Sequence, residues 1–237
     1  MEEKVNGIVL GGISYGENDK ILNLFTLEKG SISAKIKGVK KAGAKLKFAS
    51  QPFCFAEFIL RRGKAGYTVI NASLFDSFYS IREDVFKYYA GATVLEFIKH
   101  FYYEGQIAEG VFLTAVSALT AISCGQDYKT PLVAFLLGAL KDAGYGLETH
   151  GCFECMAERS ERMFFDYRSG AFFCEQCDNG EGREINPQTF YALQKAEKGQ
   201  SLSADEGLKA LRLIDFYIDY KTEENLKSLK ELLKMLA

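Results

Sequence analysis

The chain has no tryptophan, only two histidines, and no apolar run long enough to span a bilayer. Each shortage removes a class of protein. Without the long apolar run there is no transmembrane helix to expect. The first residues, Met1-Glu2-Glu3-Lys4, lack the positive start and apolar stretch of a secretory signal. The default expectation is therefore a cytoplasmic protein with no membrane association. The two histidines are followed two positions on by Tyr102 (after His100) and Cys152 (after His150), so the His-x-Glu that accompanies Cys-x-x-Cys in zinc deaminases is missing. No GxxxxGK(S/T) segment is present, so no nucleotide-hydrolysing loop is visible. Gly11-Gly12 and Gly63-x-x-Gly66 read as turn glycines. Cys54 falls in an apolar strand and Cys124 at a helix end, with no histidine near either. A cysteine nucleophile has little support there.

What is present begins with size. A chain of 237 residues, 48% apolar, has room for one large or two small domains with a sizeable core. Six cysteines in a cytoplasmic chain are read as thiols or metal ligands rather than disulfides. The net charge of −2 is uninformative, but its distribution is not. Residues 29–64 hold ten cations (Lys29, Lys35, Lys37, Lys40, Lys41, Lys45, Lys47, Arg61, Arg62 and Lys64) against one acid, Glu57. That segment is near +9 and the remainder near −11. Clustered cations beside aromatic strands meet a polyanion, most often nucleic acid, or form a solvated surface with no ligand.

Residues 7–78 read as β. Strands are expected at 6–15, 21–26, 31–37, 53–62 and 67–78, with glycines bending the first. In the third, Ile32, Ala34 and Ile36 alternate with Ser33, Lys35 and Lys37, which places the two lysines on the solvent face. A basic loop with two glycines follows, carrying Lys40, Lys41, Lys45 and Lys47. Five short strands in about seventy residues indicate a small closed barrel. From Ile81 the period becomes helical. Val85, Tyr88, Ala92, Leu95 and Tyr102 form a stripe broad enough to pack on two sides. Further helices are expected at 107–123, from a Thr130-Pro131 start to 143, after Asn186-Pro187, from the capping-box spacing Ser203-Ala204-Asp205-Glu206 to 220, and at 225–236. The domain boundary is expected near Ser80, between a barrel of residues 1–80 and a helical domain of residues 81–237.

Between the third and fourth helices stand Cys152-Phe153-Glu154-Cys155, eighteen residues, then Cys174-Glu175-Gln176-Cys177. Two thiolates separated by two residues reach one tetrahedral ion, and two such knuckles close a four-sulfur site with zinc-ribbon spacing. Residues 163–167 and 171–173 flank Arg168-Ser169-Gly170, which suits a hairpin. A four-cysteine zinc-ribbon insert at about residues 150–180 is therefore expected, holding one ion. Four cysteines leave no open coordination position, so that ion would be structural. The bland alternative is four reduced, unliganded thiols.

Taken together, Glu17-Asn18-Asp19-Lys20-Ile21-Leu22, Phe25-Thr26-Leu27-Glu28-Lys29-Gly30, the Lys-Gly-x-Lys-Lys segment at 37–41 and Gln51-Pro52-Phe53 resemble the start of the RecO family of bacterial DNA-repair proteins. Ile81-Arg82-Glu83-Asp84, Gly144-Tyr145-Gly146-Leu147 before Cys152, and Leu226-Lys227-Ser228 extend the resemblance over the whole chain. It implies an α+β multidomain protein: an N-terminal five-stranded oligonucleotide-binding (OB) barrel, a helical domain and a zinc ribbon. It also implies a recombination mediator with no catalytic residue, cytoplasmic and nucleoid-associated. Such a protein binds single- and double-stranded DNA and anneals complementary strands. It interacts with RecR and with the acidic C-terminal tail of the single-stranded-DNA-binding protein, and helps RecA onto coated strands. The expected DNA contacts are Lys35, Lys37, Lys40, Lys41, Lys45, Lys47, Arg61, Arg62 and Lys64. Lys99 and Arg82 are candidate cations for the acidic tail. The ribbon receives no DNA contact, because Asp178, Glu181 and Glu184 follow Cys177. Two other classes stay open: an RNA-binding or transcription-associated zinc-ribbon/OB module, and a metal hydrolase or deaminase.

Overall fold

Five strands open the chain: β1 (Glu2–Tyr15), β2 (Asp19–Thr26), β3 (Gly30–Ile36), β4 (Phe55–Gly63) and β5 (Gly66–Asp76). The structure is a computed structural model that describes residues 2–64, 66–125 and 127–236. The strands close in the order β1-β2-β3-β5-β4. All neighbours are antiparallel except β3 and β5, which run parallel from Ala34↔Tyr67 to Ile36↔Val69. This is the five-stranded OB-type barrel. Closure depends on β1 serving two neighbours. Its first half pairs with β4, from Glu2↔Arg61 to Ile8↔Phe55, and its second half with β2, down to Tyr15↔Asp19. The register shift between Val9 and Gly11 lets the strand bend from one partner to the other. Gly12 is required beside it, because a Cβ there would stand 2.7 Å from the Ile21 carbonyl oxygen.

Alternation fills the interior. Val5, Val9, Leu22, Leu24, Ile32, Ala34, Ile36, Ala56, Phe58, Leu60 and Val69 all point inward and are buried together. Each of the larger side chains contributes about 1.5–3 kcal/mol by leaving water. Cys54, expected in a strand, lies just before β4 and is buried. Burial pushes its thiol up to about 11, so it is an inert core group.

Compactness divides the chain further along than the change of period does. The two units are Met1–Cys124 and Gly125–Ala237. In the first, the helices α1 (Val85–Phe101) and α2 (Glu109–Cys124) belong with the barrel. Phe25 of the barrel meets Tyr102 at 5.7 Å and Phe112 at 5.9 Å between ring centroids, and Phe55 meets Phe112 at 6.0 Å. Ser31 donates its hydroxyl to the Tyr102 carbonyl (2.9 Å), and the Gly105 N–H donates to the Ser31 carbonyl (2.8 Å). Asp84 caps α1, accepting from the N–H groups of Phe86 and Lys87.

In the second unit, α3 (Lys129–Asp142) is followed by the short strands β6 (Met163–Asp166), β7 (Ala171–Cys174) and β8 (Arg183–Ile185), then by α4 (Pro187–Glu197), α5 (Ala204–Thr222) and α6 (Lys227–Met235). The expected helix starts hold at Asn186-Pro187 and at the Ser203/Glu206 capping box. Thr130 is not a cap. The Asp127 carboxylate accepts from the N–H groups of Lys129 and Thr130 instead, and the Thr130 hydroxyl accepts from the Leu202 N–H. The three-stranded sheet, in the order β7-β6-β8, shares the core of this unit. Phe165 meets Phe172 (4.5 Å) at a tilt and Tyr217 of α5 (5.7 Å) edge-to-face, and Phe172 meets Phe190 of α4 (4.8 Å). Among the described residues, no helix is long and apolar enough to cross a membrane.

Candidate nucleic-acid interface and metal centre

β3 ends at Ile36, so Lys37 already belongs to the loop that leads to β4. The two glycines of this loop lead one to expect a floppy segment. The structure instead shows a chain of hydrogen-bonded turns. The N–H of Lys41 donates to the Gly38 carbonyl, Ala44 to Lys41, and Lys47 to Ala44, each at 3.2 Å. Val39 is buried, and Leu46 and Phe48 pack on the barrel core. Those anchors turn Lys37, Lys40, Lys41, Lys45 and Lys47 outward, and all five are exposed.

The loop is tied at its root to the β1–β2 turn. One oxygen of Asp19 accepts from the Gly38 N–H (2.8 Å), and the other pairs with the Lys35 ammonium (2.9 Å). The Lys40 N–H donates to the Asn18 carbonyl (3.0 Å). The Gly38 N–H and Lys35 together hold the Asp19 carboxyl below its ordinary range. Between turn and loop lies an open cleft of about 520 Å³, walled by Tyr15, Gly16, Glu17, Asn18 and Asp19 and by Lys37, Gly38 and Lys41. The Lys35 ammonium sits 4.4 Å from the centroid of the Tyr15 ring.

The expected cations thus separate into two groups. Lys35 is half-buried and matched by Asp19, and Arg61 pairs with Glu2 (2.7 Å). Lys29 pairs with Glu3 (2.5 Å) in the same way. Lys37, Lys40, Lys41, Lys45, Lys47, Arg62 and Lys64 have no acid within ion-pair distance among the described residues. The acids responsible lie in β1 and β2, outside the 29–64 window, so the window overstated the free charge. The ladder also places Lys35, Thr68 and Arg61 opposite one another across β3, β5 and β4, so loop and hairpin cations flank one row of the sheet. Neither Asp19 nor Tyr15 was among the expected contacts, although both wall this cleft. Only the pairing of Lys20 with Ile36, which brings β2's start to β3's end, reveals them. Arg82 is engaged elsewhere, donating to the Pro52 carbonyl at 2.5 Å. Lys99 lines a small cleft with Leu10, Asn23 and Ser31, where burial lowers its pKa.

The cysteines do converge. The sulfurs of Cys152, Cys155, Cys174 and Cys177 all lie within 4.8 Å of one another. The separation of Cys155 Sγ and Cys174 Sγ is 3.7 Å. A tetrahedron of ~2.3 Å metal–sulfur bonds has sulfur–sulfur edges of about 3.8 Å, so the pocket fits an ion of that size. Each Cys-x-x-Cys closes a turn: the Met156 N–H donates to the Cys152 carbonyl (2.8 Å) and the Cys177 N–H to the Cys174 carbonyl (3.1 Å). The Cys174 N–H also points at the Cys152 sulfur (3.4 Å). Burial opposes the Cys152 thiolate, but backbone N–H groups of Cys155, Cys174 and Glu154 outweigh it and bring the thiol down to about 6. Cys177 is pushed up to about 12, first by Cys174 and Cys155 beside it. A dication would reverse that resistance, because coordination replaces the crowding of thiolates by attraction. The expected hairpin is β6–β7, its turn held by Asp166, which accepts from the N–H groups of Arg168 and Ser169. Arg162 is neutralised between Glu175 (2.8 Å) and Glu184 (2.9 Å).

The fold and the two centres define a class: an OB-type barrel with a basic loop, and a helical unit built around a four-cysteine ribbon. Residues 1–78 match the family model described as recombination protein O N terminal, and residues 82–230 match recombination protein O C terminal. The DNA repair protein RecO of Desulforamulus reducens is 30% identical over 236 residues, covering 95% of this chain and 91% of that protein. That of Clostridium perfringens is 28% identical over 238 residues, covering 97% and 96%. That of Acetivibrio thermocellus is 29% identical over 181 residues, covering 76% and 72%. The chain belongs to the RecO family of DNA repair proteins.

Proposed function

We propose that this protein is a non-enzymatic recombination mediator that binds single- and double-stranded DNA through the loop of residues 37–47, with Arg62 and Lys64 of the β4–β5 hairpin as outlying contacts. The observation that carries the reading is the row of exposed lysines without acid partners on a folded loop of an OB-type barrel. Lysines meet phosphate oxygens and read no bases, so binding is indifferent to sequence. A surface that neutralises two strands at once lowers their mutual repulsion and favours annealing. Lys35 and Arg61 tune the field of the surface rather than grip phosphates, since Asp19 and Glu2 already balance them.

The ribbon ion is zinc, one per chain, and its role is structural. Four thiolates fill a tetrahedral shell and leave no place for substrate. The protein acts in the cytoplasm on nucleoid DNA. There it works with RecR and with the acidic tail of the single-stranded-DNA-binding protein, so that RecA can replace that protein on gapped strands. A strand-annealing assay on complementary oligonucleotides, with and without the single-stranded-DNA-binding protein, tests the reading. The expected result is annealing of coated strands. Failure to anneal coated strands, with a preference for RNA over DNA, would replace it with an RNA-binding role.

A further inference from the structure

We propose that the Tyr15 ring is a stacking platform for one unpaired base, with the phosphates of that strand passing on the Lys37 and Lys41 side of the same cleft. This rests on the reading of the basic loop as the strand-binding surface and adds a base-contacting residue to it.

Tyr15 stands at the end of β1 and is held in register opposite Asp19. The ring is 50% exposed although it sits on a barrel strand. One side lies toward the Lys35 ammonium at 4.4 Å, and Lys35 is itself fixed by Asp19 at 2.9 Å. The ring is thus oriented before any ligand arrives, with its remaining surface open to the cleft. Base–aromatic stacking is sequence-tolerant, because every base offers a π-face, and a cation near the ring strengthens such an assembly. The charges of the cleft are divided to match a nucleotide. Glu17 stands on the Tyr15 wall and repels phosphate, whereas Lys37 and Lys41 on the opposite wall attract it. A nucleotide placed with its base on Tyr15 and its phosphate on the lysines meets both requirements, and the reverse placement meets neither. Two other exposed rings of this unit are packed against aromatic neighbours instead: Phe75 on Phe55 at 4.9 Å, and Tyr88 with an edge against Phe53 at 5.8 Å. A base inside a duplex has both faces occupied by its neighbours, so this platform favours single strands.

The test uses the full chain with fluorescein-labelled single-stranded and duplex oligonucleotides of one mixed sequence, read by anisotropy across a salt series. Tyr15→Leu is expected to weaken single-strand binding by about five-fold or more, with the salt slope and duplex affinity unchanged. Tyr15→Phe is expected to bind as the wild type. A 5-iododeoxyuridine strand is expected to cross-link to Tyr15 on irradiation. Unchanged single-strand affinity in Tyr15→Leu, or an equal loss on both ligands, overturns the platform while the basic loop stands. A combined Lys37→Ala and Lys41→Ala variant with the wild-type salt slope overturns the loop reading itself, and the platform with it.

Discussion

Replacing Lys37, Lys40 and Lys41 together by alanine removes three exposed cations that have no acid partner, and replacing Lys35 and Arg61 removes two that have one. The two variants lose three and two positive charges, yet the structure assigns them different outcomes. Each phosphate contact on a single strand contributes about −0.7 to the slope of log K against log salt. The triple variant is therefore expected to have a slope shallower by roughly 2, so that from 50 to 200 mM salt the wild type loses about twenty-fold more affinity than the variant. The paired variant should leave the slope near that of the wild type, because Lys35 and Arg61 are held by Asp19 and Glu2 and make no phosphate contact of their own. Anisotropy titrations at four or five salt concentrations measure both slopes. A triple variant with the wild-type slope, or a paired variant with the larger loss, would refute the division of the surface into free and matched cations.

Two further expectations concern the second unit. Cys152→Ser should reduce the metal content measured by mass spectrometry below one zinc per chain and lower the melting temperature, while leaving the salt slope alone. Structural zinc sites in peptides are worth ~10–16 kcal/mol, comparable with the whole ~5–15 kcal/mol margin of a domain, so the loss should be large. A variant that retains its ion and melting point would remove the structural role. Burial raises the carboxyl of Asp215 to about 6, with Lys230 opposing and Asp219 adding to the shift. The folded chain thus keeps a proton that the unfolded chain releases near pH 4, and stability declines as pH rises from there to about 6. Allowing for solvent screening of this half-exposed group, Asp215→Asn should stabilise by about 1 kcal/mol at pH 7 and not at pH 4. Urea unfolding at the two pH values measures this, and equal effects at both would contradict the assignment.

Strong local patterns in the sequence found their structures. The alternation of Ile32, Ala34 and Ile36 marked the buried face of β3, the cysteine spacing marked a real convergence of sulfurs, and Ser203 with Glu206 formed the capping box. What escaped was set by contacts between distant residues. Arg61 meets Glu2 across 59 positions of chain, and no window of charges can see that. β8 has three residues, Arg183 to Ile185, too few to show a period. Thr130 competed for a cap with Asp127, whose carboxylate reaches the N–H groups of Lys129 and Thr130.

The run of turns between Gly38 and Lys47 has a kinetic consequence. A loop already folded gives up little conformational entropy when a polyanion arrives and regains little when it leaves. Departure then involves no refolding step that would hold a strand in place. On the proposed reading, contacts between lysine and phosphate would break and re-form one at a time, and a second strand would take each site as it is vacated. Exchange would then accelerate as competitor concentration rises.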